Sequence, residues 1–155
     1  MLKLLGSVLL FACAALISHT RNRRIDERIS QIRALCSLIS FFRLQIDLFC
    51  VPVGEIFKRA DADLINKCHF AKKAEDASAF TSFEGDLPQD VLALLSSFGS
   101  ELGTLYREEQ LKSCDYHASK LKEKLTKLEN VAPSQKKLNR TLLFSASLGI
   151  IILFI

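Results

Sequence analysis

Apolar residues concentrate at the two ends of the chain. Residues 1–18 contain 14 hydrophobic residues and one charge, Lys3, whereas residues 141–155 contain 11 hydrophobic residues and no charge. A membrane-spanning helix needs about 20 residues, so both segments are short for this role. Basic residues flank both segments on the side of the middle of the chain: Arg21, Arg23, Arg24 and Arg28 after the first, and Lys136, Lys137 and Arg140 before the second. The pattern predicts transmembrane helices over residues 1–20 and 136–155, a cytosolic middle over residues 21–135, and both termini on the opposite side of the membrane.

Alternative interpretations exist for both ends. Lys3, a short apolar core and the stretch Ala12–Ala15 also resemble a signal peptide, either cleaved conventionally or cut before Cys13 as in a lipoprotein. The arginines that follow favour an anchor, because such clusters resist export. The second segment is also compatible with a core helix of a soluble protein. If the first segment is a cleaved signal peptide, the alternative to a membrane-anchored protein is a secreted or surface-attached helical binding protein.

Helical periodicity dominates the middle of the chain. Apolar residues recur every three or four positions over 22–49, and no residue between Ser18 and Asp26 would break a helix that continues from the first anchor. Pro52 suits the start of a helix or helix pair over 53–74. Residues 75–86 lose the periodicity and predict a loop. This pattern predicts an all-α fold, an antiparallel helical bundle between the N- and C-terminal transmembrane helices.

Two further helices follow the predicted loop. The sequence Asp86-Leu87-Pro88-Gln89 resembles a capping box and predicts a helix start. Gly99 and Gly103 predict either close approach of another backbone or the end of that helix. The last pattern repeats like a heptad, which fits packing inside the bundle or a coiled-coil seam to another subunit: Leu111, Cys114, Ala118, Leu121, Leu125 and Leu128. Pro133 predicts a break before the second anchor.

Composition and charge exclude several classes of function. The 155 residues are 49% hydrophobic and 25% charged, which excludes a disordered polyelectrolyte. The net charge of +4 is too small to indicate nucleic-acid binding, and the basic stretch beside the first anchor better fits contact with anionic membrane lipid. The five cysteines form no C-x-x-C pair and the three histidines are scattered, so we expect no metal site. Cys114 and His117 lack a third catalytic group, and phosphate-loop and hydrolase motifs are absent. We therefore expect neither an enzyme nor a cofactor.

Three short stretches carry a family resemblance. Glu27–Leu35 resembles the pattern E-R-P-R-Q-I-R-x-L, without its proline and one arginine. Val51–Ile56 resembles T-P-L-x-E-A at Pro52 and Glu55. Leu102–Gln110 resembles L-G-x-S-D-R-E-x-Q, with Leu105 and Tyr106 in place of its Ser-Asp pair. In this order, between two hydrophobic segments, they resemble the stage III sporulation protein AB family of endospore-forming bacteria.

This resemblance implies a specific function. The family lies in the membrane assembly that joins mother cell and forespore, and its soluble domain is similar to the cytoplasmic domain of type II secretion platform proteins. The resemblance implies a scaffold on the mother-cell side of the forespore-engulfing membrane. Its partners would be a motor ATPase resembling stage III sporulation protein AA, other stage III sporulation membrane proteins and membrane lipid. The matching residues are the candidate partner or membrane-surface contacts: Arg28, Gln31, Arg33, Pro52, Glu55, Gly103, Arg107, Glu108 and Gln110.

Overall fold

A computed structural model of the chain describes residues 2–49 and 51–154, and within these residues the fold is all-helical. The helices are α1 (Leu2–Phe49), α2 (Val53–Arg59), α3 (Ala62–Cys68), α4 (Gln89–Glu101) and α5 (Arg107–Phe154). A 3-10 helix, Ala77–Thr81, lies between α3 and α4. No β-strand occurs in the described part of the chain, where Phe70 and Phe83 form an isolated β-bridge. The all-α prediction is confirmed. Met1, Cys50 and Ile155, which fall in the predicted anchors and among the five cysteines, lie outside the described residues.

Helix α1 joins the first hydrophobic segment to the first periodic segment without a break. The prediction that one helix continues through both is confirmed. One face of its second half is buried, as the spacing of three and four residues requires. The fully buried side chains on that face are Ile32, Leu35, Leu38, Ile39 and Phe42.

The segment 53–74 forms a pair of short helices and not one long helix. Ala60 adopts an extended conformation after α2, and the Asp61 carboxylate then caps α3 by accepting a hydrogen bond from the Asp63 amide at 3.2 Å. Helix α3 ends at Cys68, because His69 takes a left-handed conformation with φ 50° and its amide donates to the Asn66 carbonyl. The prediction that helix extends to residue 74 is wrong.

The predicted loop over 75–86 contributes two residues to the core, Ala79 and Phe80. The 3-10 helix places Phe80 where it is completely buried. Its ring lies 5.0 Å from that of Phe98, 5.5 Å from Phe70, 5.9 Å from Phe57 and 6.0 Å from Phe42. These edge-on and tilted contacts join α1, α2, α4 and the α3–α4 connection into one aromatic cluster.

Helix α4 does not use the predicted capping box. It begins at Gln89 after Pro88, and no side chain in the described part of the chain caps it. Asp86 instead forms an ion pair with Arg28 of α1. The prediction was wrong because the carboxylate has a cationic partner far along the chain that local sequence does not reveal.

The two glycines near the end of α4 serve different purposes. A Cβ atom at Gly99 would lie 2.9 Å from Phe80 Cβ and 3.0 Å from the Ala77 carbonyl oxygen, so this glycine permits close packing of the 3-10 helix on α4. Gly103 has φ 81° and follows the end of the helix. Each of the two predicted roles is therefore filled by one glycine.

Helix α5 runs antiparallel to α1 and places part of the predicted stripe in the core. Cys114, Leu121 and Leu125 are buried. Arg43 of α1 pairs with Asp115, and Asp47 pairs with Arg107, so numbering rises along one helix as it falls along the other. The predicted break at Pro133 is wrong, since α5 continues through it. Pro133 lies at an exposed position, where water can replace the lost main-chain hydrogen bond.

The chain divides into two compact units. The central unit is Arg28–Lys127, and the other contains the parts of α1 and α5 up to Glu27 and from Leu128 onward. In the latter, Lys136 Nζ lies 2.5 Å from Asp26 Oδ1. The predicted division at residues 20/21 and 135/136 stays a prediction.

Among the described residues, no single helix is long and apolar enough to cross a membrane. A bent pair of helices, Ala15–Phe49 with Val53–Arg59, meets the length and composition of a membrane span, but on those two criteria alone.

Candidate functional site

The third motif folds into a compact turn between α4 and α5. The Gly103 amide donates a hydrogen bond to Gln110 Oε1 at 2.8 Å. Arg107 Nη2 donates to the main-chain oxygen of Asp47 at 2.6 Å and to its Oδ1 at 2.9 Å. The guanidinium thereby satisfies carbonyl and carboxylate oxygens near the C-terminus of α1, where a cation is favoured by the helix dipole. The motif thus connects the ends of three helices.

The first motif ties α1 to the connection between α3 and α4. Gln31 is buried, and its Nε2 donates to the Cys68 carbonyl at 3.0 Å and to the Glu84 carbonyl at 3.1 Å. Arg28, three residues earlier on the same helix, forms the ion pair with Asp86. Both side chains therefore bind to polar groups that belong to the central unit itself.

The second motif begins α2. The Pro52 carbonyl accepts hydrogen bonds from the Glu55 and Ile56 amides at 2.9 and 3.2 Å. Glu55 is exposed and pairs with Arg59 at 3.2 Å. Arg33 and Glu108 are also exposed. Contact of the nine motif residues with a partner or membrane stays a prediction.

The second and third motifs meet in an open groove of about 570 Å³ within the central unit. Its volume is within the range typical of binding pockets. The walls are mainly aliphatic and come from α1, the start of α2, the 3-10 helix and the α4–α5 turn: Ile46, Val51, Pro52, Val53, Ala77, Leu102 and Leu105. Gly103, Arg107, Gln110 and Asp76 complete the lining. Four of the nine motif residues, Pro52, Gly103, Arg107 and Gln110, are thus brought together.

The sequence did not predict that the groove forms, and three of its lining residues belong to no motif. Ile46, Ala77 and Asp76 lie outside all three motifs, and nothing in their local pattern relates them to residues 102–110. Asp76 Oδ1 accepts from the Ser78 amide at 2.9 Å and from Ser78 Oγ at 2.5 Å, and these bonds lower the pKa of Asp76. The available signal was the change of Ser-Asp to Leu105-Tyr106, which adds apolar surface at the groove.

The cysteines and histidines form no reactive centre in the described residues. His117 is buried, with Nδ1 2.9 Å from the Ser113 carbonyl and its ring 5.3 Å from that of Phe98. Cys68 and Cys114 are completely buried. No group of three His, Cys, Asp or Glu side chains within the described ranges is arranged to hold a metal ion.

Burial of the two thiols makes stability sensitive to alkaline pH. Burial raises the pKa of Cys68 to about 12 and that of Cys114 to about 11, from an ordinary value of 9.0. Above about pH 9 the unfolded chain loses these protons while the folded chain keeps them, so stability falls as pH rises toward these values. We expect each thiol to contribute up to about 1.4 kcal/mol per pH unit to this decline. Urea unfolding of the full chain between pH 8 and pH 11 measures it.

Cys68→Ala provides the control for this prediction. The variant starts from a lower stability because it removes a buried sulfur, but its unfolding free energy should fall less steeply with pH than that of the wild type. If the unfolding free energy falls equally steeply with pH in the variant and the wild type, the Cys68 thiol does not cause the alkaline loss of stability. Both thiols should also resist a thiol reagent at pH 8 until the protein is unfolded.

Within the described residues, the protein is an all-helical molecule with a largely apolar groove where several helix ends meet. The chain belongs to the family described as stage III sporulation protein AB, whose model matches residues 3–155. No curated protein and no solved structure matches the chain. Membership implies a role in stage III of sporulation, in a family of structural or scaffold type that is not a known enzyme family.

Proposed function

We propose that this protein is a membrane-anchored scaffold of the channel between mother cell and forespore, which couples a motor ATPase to the membrane assembly. The observation that carries the proposal is the family match over residues 3–155. The proposed motor resembles stage III sporulation protein AA. Further proposed partners are other stage III sporulation membrane proteins and membrane lipid. The proposed mechanism resembles that of type II secretion platform proteins.

The chain ends support the anchoring part of the proposal. Leu16 is 67% exposed, Leu142 56% and Leu148 54%, although each lies in an apolar segment. Exposed leucines within an apolar segment are unfavourable in water and favourable in lipid. Arg24 and Arg140 lie beside these segments and are exposed, as contact with anionic headgroups would require. In this proposal the central unit faces the mother-cell cytosol.

Co-expression of the full chain with the motor ATPase tests both parts of the proposal. The chain is expected in the membrane fraction after a high-salt wash and in solution after detergent. The ATPase should enter the membrane fraction only when the chain is present. Recovery of the chain in solution without detergent would contradict the membrane anchor. An ATPase that stays soluble while the chain is membrane-bound would contradict the proposed coupling to the motor.

A double substitution sharpens the anchoring test. Leu142→Lys with Leu148→Lys should reduce membrane recovery several-fold, since each lysine costs about 2.5–3.5 kcal/mol at the centre of a spanning helix. Leu44→Lys is the matched control, because Leu44 is 48% exposed but belongs to the central unit. Equal losses in both variants would indicate a folding defect and not an anchor.

A further inference from the structure

A second open groove lies along α5 in the terminal unit, the compact unit that contains α1 up to Glu27 and α5 from Leu128 onward. It has a volume of about 380 Å³ and is lined by five exposed residues: Arg140, Thr141, Phe144, Ser145 and Leu148. The three larger side chains recur every fourth position and form a wall, whereas the threonine and the serine form the floor beside it. The wall extends along the helix for about 12 Å. The groove is therefore cationic at one end and apolar along the rest of its length.

The hydroxyl groups of the floor are already bound to the main chain of α5. Thr141 Oγ1 donates a hydrogen bond to the Lys137 carbonyl at 3.0 Å, and Ser145 Oγ donates to the Thr141 carbonyl at 2.9 Å. A hydroxyl group whose hydrogen is bound in this way can lie against apolar groups at little cost. The Arg140 guanidinium is therefore the polar group that this groove offers to a ligand.

The charge of Arg140 is not compensated by an acidic side chain. Within the part of the chain that the structure describes, the guanidinium forms no ion pair and no hydrogen bond. The stretches 21–27 and 136–140 contain six basic and two acidic residues. Both acidic side chains are engaged in ion pairs, and one of these pairs, Asp26 with Lys136, joins the two stretches. The excess positive charge therefore lies at one level of the terminal unit, beside both apolar segments.

An anionic phospholipid matches this combination better than other occupants do. Its phosphate supplies an anion for the unpaired guanidinium, and an acyl chain attached to the same molecule covers the apolar wall. A free phosphate ion would leave the wall exposed to water. An apolar helix of another protein, which the small floor residues would admit, would cover the Arg140 charge without supplying an anion.

We propose that the groove of the terminal unit binds one anionic phospholipid of the membrane, with Arg140 contacting the phosphate and one acyl chain lying along Phe144 and Leu148. This inference rests on the anchoring part of the proposed function, and it names the class of lipid that the anchor holds. The other positive charges at the same level favour a headgroup of net negative charge over a zwitterionic one. The bound lipid fixes the depth of the short C-terminal apolar segment in the membrane.

Retention of added phosphatidylglycerol by the full chain in mild detergent tests the inference, with phosphatidylcholine as the zwitterionic comparison and native mass spectrometry as the measurement. In about 0.5 M salt, screening weakens all but close contacts between exposed charges. Under these conditions Arg140→Gln should lower the retention of phosphatidylglycerol about tenfold or more. Arg24→Gln, which removes an exposed arginine outside the groove lining, should stay within about threefold of the wild type.

A substitution that fills the groove distinguishes a lipid site from a general need for an apolar anchor. Ser145→Leu places a larger apolar side chain on the floor, so it should keep the chain in the membrane fraction but lower the retention of phosphatidylglycerol about tenfold. Thr20→Leu is the matched control. Thr20 is exposed in α1 outside the groove lining, and its hydroxyl group likewise donates to a main-chain carbonyl, that of Leu16, at 2.9 Å. This variant should retain the lipid as the wild type does.

A phosphatidylglycerol with a photoreactive acyl chain provides a measurement on the unaltered protein. In phosphatidylcholine vesicles that contain the full chain, it should label residues 144–148 in preference to the N-terminal apolar segment. Photoreactive phosphatidylcholine should label the two apolar segments alike.

The outcomes separate the lipid site from the proposed function. If the chain is recovered without detergent, the membrane anchor fails and the lipid site fails with it. If the chain is membrane-bound but Arg140→Gln and Arg24→Gln lose the lipid equally, or Ser145→Leu retains it, the site is overturned while the anchor stands. The site is also overturned if residues 144–148 stay unlabelled in vesicles, because protein and not lipid then covers the groove.

Discussion

Replacing Phe80 by alanine is expected to lower the free energy of unfolding by about 3–5 kcal/mol. The Phe80 ring is completely buried and contacts four other phenylalanine rings, which come from α1, α2, α4 and the α3–α4 connection. The substitution leaves a cavity at the point where these elements meet, and the 3-10 helix that carries Phe80 has few other buried side chains. Urea unfolding of the full chain in detergent, followed by circular dichroism at 222 nm, measures the loss.

Phe83→Ala is the matched control for Phe80→Ala. Phe83 belongs to the same connection but is half-buried, and its ring lies near that of Phe70, 5.3 Å away. Its loss should therefore destabilise the protein by less than half as much. Equal effects of the two substitutions would show that Phe80 is not the centre of the core.

Replacing Gln31 by leucine is expected to cost about 2–4 kcal/mol, although the two side chains are similar in size. The change removes the donor from the Cys68 and Glu84 carbonyls and leaves both without that hydrogen bond. Because these carbonyls end α3 and begin the approach to α4, we also expect faster proteolysis between residues 69 and 86. Thermal unfolding and limited trypsin digestion of the full chain measure the two effects.

The same helix offers a control with the opposite expectation. Gln45 is also buried, but its Oε1 has no hydrogen-bond partner among the described residues. Gln45→Leu removes an unsatisfied polar atom and should be neutral or slightly stabilising. If Gln31→Leu proves as harmless as Gln45→Leu, then the two carbonyl contacts of Gln31 do not stabilise the fold.

The helices were predictable from the sequence because their periodicity is local. The continuity of α1 follows from the absence of any breaker between Ser18 and Asp26, and the buried positions of α5 follow from the three-and-four spacing. The predictions from sequence were wrong where a helix ends, or where a residue contacts another that is distant in the chain. His69 ends α3 by adopting a left-handed conformation that is uncommon for histidine, and Pro133 is tolerated because it lies at an exposed position.

The candidate site was predictable only in part. Pro52, Gly103, Arg107 and Gln110 carry the family resemblance, but nothing in their spacing shows that they line one groove. That convergence depends on how α1, α2, α4 and α5 meet at their ends. That Gln110 Nε2 has no hydrogen-bond partner among the described residues is likewise invisible in the sequence, since it depends on a particular set of neighbours.

The sequence by itself determined the helical class, the long α1, the apolar ends of the chain and the family. Each of these follows from periodicity, composition or short motifs, which are local properties of the sequence. The tertiary structure decided which polar residues are used internally and which form a surface. Arg28, Gln31 and Arg107 find their partners at Asp86, at the Cys68 and Glu84 carbonyls and at Asp47. These partners are 37 to 60 residues away in the chain. Only packing brings such groups within hydrogen-bond distance, because hydrogen bonds act over about 3 Å, whereas sequence patterns report neighbours three or four positions away.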